Sequence, residues 1–98
     1  MSYPKRTDAN QSTIAADLRR AGCQVKDLHI VGRGVPDLLA AHHNARPAGQ
    51  NWLFECKVKG GRFTEDETEF FRDWPGQKAV VYDALDALAI MGLLKEAA

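Results

Sequence analysis

Apolar residues along this chain recur with a changing period, and the changes mark its elements. Ile14, Ala15, Leu18 and Ala21 share one helical face, with Asp17, Arg19 and Arg20 off it. That spacing predicts a helix opening at Asp8-Ala9-Asn10-Gln11. Asp8 is its N-cap, Gln11 closes a capping box, and Gly22 ends it. Val25, Leu28 and Ile30 alternate imperfectly, so a first strand within residues 23–31 bends near Asp27. Residues 35–41 form a second strand with Pro36 at its start, because proline cannot donate to a ladder. Residues 42–50 read as a hairpin-type loop, and residues 51–58 as a third, central strand broken by Lys59-Gly60-Gly61-Arg62. Thr64-Glu65-Asp66-Glu67 is a second capping box, opening a helix that runs to about Trp74 and stops at Pro75-Gly76. A fourth strand at residues 78–82 precedes a helix capped by Asp83, with Leu85, Leu88, Ala89 and Leu93 at helical spacing.

The order is therefore α-β-β-β-α-β-α. Short connections make the first three strands an antiparallel meander, and the helix before the fourth brings it in parallel by a right-handed crossover. The expected fold is α/β, a small mixed sheet flanked by helices, in one domain over residues 1–98. No run approaches the roughly 18 apolar residues of a membrane span, and the N-terminal residues lack a secretory apolar region. Cys23 and Cys56 have no metal-ligand or disulfide spacing, which fits a cytoplasmic setting. The formal net charge is zero, against the basic surface usual for nucleic-acid binding. Lys57, Lys59 and Arg62 nevertheless cluster after the third strand, while Glu65, Asp66, Glu67 and Glu69 crowd the second helix.

Two apolar runs carry charge where buried strands should have none. Asp37 interrupts Gly34-Val35-Pro36-Asp37-Leu38-Leu39, and Glu55 and Lys57 interrupt Trp52-Leu53-Phe54-Glu55-Cys56-Lys57-Val58. Alternation puts Glu55 and Lys57 on one face, and pairing of the two runs lets Asp37 meet them at one edge of the sheet. Two carboxylates, the Cys56 backbone carbonyl, waters and a phosphate oxygen would complete an octahedral shell for Mg2+ (or Mn2+). Lys57 beside it would orient or help deprotonate a water, or offset charge building on the phosphate. The same residues also fit a turn aspartate and a solvated Glu–Lys pair.

In this order of elements, Pro36-Asp37 followed by Glu55-Cys56-Lys57 resembles the PD-(D/E)xK nuclease superfamily, with its restriction-endonuclease-like fold. Asp8-Ala9-Asn10-Gln11, Phe63-Thr64-Glu65-Asp66-Glu67 and Gln77-Lys78-Ala79-Val80-Val81 extend the likeness to small stand-alone VRR-NUC (virus-type replication-repair nuclease) proteins, including phage-encoded ones. The resemblance implies a divalent-metal-dependent DNA endonuclease acting on branched or structured DNA as a homodimer. Asp37 and Glu55 would hold the metal, Lys57 would be the catalytic lysine, and Gln11 would stand where many members have a helix carboxylate. Either Gln11 serves the metal through its carbonyl oxygen or it only closes the Asp8 capping box.

Arg33, Lys59 and Arg62 lie on glycine-flanked loops suited to DNA phosphates. His29 is a candidate phosphate contact or proton shuttle, with a structural role as its alternative. His42 and His43 lack partners at metal-ligand spacing. Two rival functions share these features: a nuclease fold that binds nucleic acid without cleaving it, and a protein–protein adaptor whose carboxylates are merely solvated.

Overall fold

The computed structural model describes residues 10–46 and 51–94. Its elements are α1 (Gln11–Arg20), β1 (Gln24–Asp27), β2 (Leu38–Ala41), β3 (Asn51–Cys56), α2 (Glu65–Asp73), β4 (Lys78–Val81) and α3 (Ala84–Ile90). The strands stand in the order β1-β2-β3-β4. The first three pair antiparallel, and β4 joins β3 in parallel after α2, as the connection lengths predict. Over the described residues the protein is thus a mixed α/β fold with three helices and one four-stranded sheet.

Alternation divides the sheet into two faces. Val25, Leu38, Ala40, Phe54, Cys56 and Val81 point to one side and bury against Ile14, Ala15 and Leu18 of α1 and Ala84 and Ala87 of α3. Each fully buried large side chain here, such as Phe54 or Leu18, contributes about 1.5–3 kcal/mol. Leu39 and Leu53 face the other way, toward Phe70 of α2 and Trp74 just after it. That second layer is thinner, since no residue of α2 is fully buried. Among the described residues, no helix is long and apolar enough to cross a membrane.

Several boundaries differ from the sequence expectation. Asp8 and residues 47–50 lie outside the described residues. The α1 N-cap is Asn10, which makes no side-chain cap hydrogen bond, and Gln11 is the first helical residue. Asn10 Nδ2 donates instead to Lys57 O at 3.0 Å and Tyr82 O at 2.9 Å, pinning the start of α1 to the ends of β3 and β4. β1 stops at Asp27, whose carboxylate accepts the His29 amide and turns the chain where the bend was expected. β2 starts only at Leu38, after Pro36, and β3 ends at Cys56. α3 buries Ala84, Ala87 and the following Met91, while Leu85 is 62% exposed. Small alanines permit the close approach of α3 to the core that a leucine face would prevent. α2 matches its prediction closely. Thr64 Oγ1 accepts from Glu67 N, Glu67 Oε1 accepts from Thr64 N, and the residue before Pro75 is extended.

Candidate metal centre

Strand register assembles the site. β2 and β3 pair Leu38 with Phe54, so one step further Asp37 stands opposite Glu55. Asp37 O accepts from Leu28 N at 2.7 Å, which aligns Leu28, Asp37 and Glu55 in a row across β1, β2 and β3. Asp37 Oδ2 accepts the Cys56 amide at 2.8 Å, fixing one carboxylate oxygen against the neighbouring strand. Because β2 and β3 are the inner strands, the two acids meet at the strand ends within the sheet and not along its flank. Two residues beyond Glu55, Lys57 Nζ lies 3.5 Å from Glu55 Oε2, 2.9 Å from Glu67 Oε1 and 5.6 Å from the Phe63 ring centroid. Asp37 and Lys57 are 7% exposed and Glu55 2%. This is not a solvated Glu–Lys pair.

The site gathers three carboxylates around one ammonium in a nearly dry setting. Burial, with the charges of Asp37 and Glu67, pushes the Glu55 pKa up to about 9, against the opposing pull of Lys57. At neutral pH the carboxyl group therefore keeps a proton and shares a hydrogen bond with Asp37. Burial also works against ionised Glu67, but the Lys57 ammonium and the Thr64 amide hold its pKa below the usual value. Glu55 Oε1 is buried without a hydrogen-bond partner, as is Gln11 Oε1. Such orphaned acceptors cost about 1–3 kcal/mol each and suit a hard cation that takes oxygen ligands. Among the described residues no group of three or more His, Cys, Asp or Glu side chains is placed to hold a metal ion. Asp37 and Glu55 thus bring two carboxyl groups together, a number and type of protein donor compatible with a magnesium-like ion that keeps several waters.

The remaining predicted residues are distributed unevenly. Gln11 is 2% exposed, begins α1 and hydrogen-bonds Asp27, at the end of β1, through its side chain, while its expected capping-box partner Asp8 lies outside the described residues. Cys56 places its side chain in the core and supplies its amide to Asp37. Lys59 and Arg62 are exposed on the loop between β3 and α2. Arg33 is also exposed, with a left-handed φ of 56°, and lines an open cleft of about 540 Å³ with Asp66, Glu69, Phe70, Asp73 and Trp74. Two of that cleft's carboxylates, Glu69 and Asp73, pair with Arg72. His42 and His43 lie by the loop after β2, well along the strand from Asp37.

Glu67 is the site residue that sequence reasoning placed only as a helix cap. Its Oε1 serves both the Thr64 amide and Lys57. The usable signal was the T-x-x-E box itself, which holds a carboxylate at a fixed height just after the glycine-rich loop leaving Lys57. Gly34 sets that height from the other side. Its φ is 79°, and a Cβ there would overlap the Asp66 carbonyl, so the α2 backbone rests directly on Gly34.

Comparison of the chain with protein-family models, with curated proteins and with solved structures finds no match.

Proposed function

We propose that this protein is a divalent-metal-dependent DNA endonuclease of the PD-(D/E)xK type, similar to small VRR-NUC proteins, hydrolysing phosphodiesters on branched or structured DNA as a homodimer. One observation carries the reading. Asp37 and Glu55 oppose each other on adjacent strands with Lys57 beside them, all three buried, and one Glu55 oxygen lacks a partner. Burying two carboxyl groups together, so that one is held protonated, is costly and is characteristic of functional sites. The branched substrate and the dimer rest on the family resemblance alone.

A bound Mg2+ or Mn2+ would supply Lewis-acid polarisation of the phosphate and a more acidic water. Asp37, fixed by the Cys56 amide, and Glu55, once its proton is lost, would hold the ion. Lys57 orients the attacking water and offsets charge on the phosphate, and Glu67 fixes the ammonium for that task. The exposed Lys59 and Arg62 meet the DNA backbone.

The test is cleavage of a four-way junction and of plasmid DNA in Mg2+ or Mn2+, comparing wild type with Asp37→Asn, Glu55→Gln and Lys57→Ala. Each variant is expected to lose at least about 100-fold in rate. Undiminished cleavage by all three sinks the assignment. A second reading, a nuclease fold that binds nucleic acid without cleaving it, is favoured by the amide of Gln11 lying against Asp27 where a metal carboxylate would strengthen the site. Metal-independent DNA binding with no cleavage supports that alternative.

A further inference from the structure

Beside the candidate centre lies a cavity that the reaction above leaves unused. Val35 and Leu39 flank Asp37 at alternate positions, and Leu53 stands two residues before Glu55, so all three share the sheet face that carries the acids. With Phe70 of α2 and Trp74 just after it, they line a cavity of about 450 Å³ between the sheet and the helix. Two residues of strand span about 7 Å. The cavity floor therefore begins within one nucleotide's reach of a phosphate held at Asp37 and Glu55.

Its lining suits a flat, uncharged ring. None of the described lining residues carries a charge, and Asn51 and Gln77 add amide groups at the end away from the acids. Phe70 and Trp74 are stacked, with ring centroids 5.1 Å apart and planes 17° from parallel. Trp74 is nevertheless 45% exposed, which leaves ring surface for a ligand. A Cβ at Gly76 would come within 2.7 Å of Trp74 Nε1, so glycine at that position leaves room for the indole. Beyond the aromatic pair, Asp66, Glu69 and Asp73 line a second cleft with Arg33. Arg72 pairs with Glu69 and Asp73, and three carboxylates against two guanidinium groups leave that side net negative. Phosphates are repelled there, whereas an uncharged base is not.

We propose that this cavity binds one unstacked nucleobase, that of a nucleotide adjoining the scissile phosphate, with Trp74 as its stacking platform. The proposal rests on the nuclease reading. The sugar-phosphate backbone stays at the centre and along the exposed Lys59 and Arg62, and only the base passes between α2 and the sheet. Stacking on an aromatic face tolerates every base, so the cavity reads whether a base is free and not which base it is. A paired base must first leave its duplex at a cost in unstacking and unpairing, and an unpaired one is spared most of that cost. The cavity thereby gives a physical basis for preferring structured DNA, cut beside an unpaired nucleotide.

The test removes one base at a time. The product ends of wild-type cleavage in Mn2+ locate the scissile phosphate, and substrates with a single abasic residue at each nearby position are then compared. At one position adjoining that phosphate, loss of the base should lower wild-type kcat/KM by about 10–100-fold. Trp74→Ala should lose a similar factor on intact DNA and nothing further on the abasic DNA, and Trp74→Phe should restore most of the wild-type response. Because Trp74 lies outside the buried core, its truncation leaves the fold in place. A 2-aminopurine base at the same position should lose fluorescence by stacking when wild type binds in Ca2+, and should keep it with Trp74→Ala. An abasic series with no sensitive position, a full abasic loss retained in Trp74→Ala, or an unquenched 2-aminopurine overturns the proposal while leaving the nuclease reading intact. Failure of the wild type to cleave any DNA overturns both.

Discussion

Lys57 and Glu67 meet at 2.9 Å, and the Glu67 oxygen that accepts the ammonium also accepts the Thr64 amide. One atom thus closes the α2 capping box and anchors the lysine of the candidate centre. Helix start and site geometry are mechanically linked, because moving α2 moves the partner of Lys57.

That link predicts different outcomes for two substitutions. Glu67→Gln keeps an oxygen acceptor for the Thr64 amide and for Lys57, and a glutamine is competent at this capping-box position. It should cost about 1 kcal/mol of unfolding free energy. Glu67→Ala removes both the cap partner and the half-buried carboxylate that pairs with Lys57, and should cost about 2–4 kcal/mol. Urea denaturation of the two variants at one pH checks the difference, and equal losses would disconnect the cap from the lysine.

Gly34→Ala should act at the same joint from the opposite side. The residue needs a φ of 79°, and an added methyl would overlap the Asp66 carbonyl in the first turn of α2. Both effects oppose the native backbone, so a loss of about 2 kcal/mol or more is expected. Combined with Glu67→Ala the losses should fall short of additive, because both act through the seating of α2. Strict additivity in a double-mutant cycle would place the two effects at separate sites.

Asn10 ties α1 to the sheet end that carries Lys57. Its amide donates to Lys57 O and to Tyr82 O. Asn10→Asp keeps the size of the side chain but cannot donate, and it should destabilise by about 1–3 kcal/mol. Thermal or urea unfolding measures this directly. A neutral result would mean that these two carbonyls find water at no cost.

How much of this was legible follows from the range of each interaction. Asp37, Glu55 and Lys57 could be found because strand alternation has a fixed period of two, and charge in an apolar run stands out. The meander and its parallel fourth strand followed from connection lengths. The second role of Glu67 did not, since it depends on how a glycine-rich loop folds Lys57 back onto α2. Asn10 was hidden for a similar reason: its partners are carbonyls 47 and 72 residues away, and backbone acceptors leave no mark in a sequence. Leu85 misled because a helical stripe of leucines and one of alanines differ by a small rotation, and only packing against α1 and the sheet selects between them.

The proton on Glu55 makes pH the sharpest probe of the centre. In the folded, metal-free protein its pKa is pushed up to about 9, from an ordinary 4.5. A raised pKa contributes stability that is fully present below the unfolded value and is lost as pH rises through the folded one. Metal-free protein should therefore lose stability steadily between about pH 5 and pH 9. Glu67, with its lowered pKa, works in the opposite sense, but its contribution is lost only as pH falls below the ordinary carboxylate range, outside that window. Glu55→Gln, which carries no titrating proton, should flatten the slope and exceed wild type in stability at the alkaline end. Adding Ca2+ should reverse the ranking, since a cation replaces the shared proton on Asp37 and Glu55 and stabilises wild type by about 2.7 kcal/mol at one hundred times its Kd. Displacing one proton makes affinity rise about tenfold per pH unit up to about pH 9. Urea unfolding across that range, with calcium titrations in buffers of different ionisation enthalpy, measures both slopes. A metal affinity independent of pH would mean that Glu55 is already ionised and that the cation, if it binds, does so elsewhere.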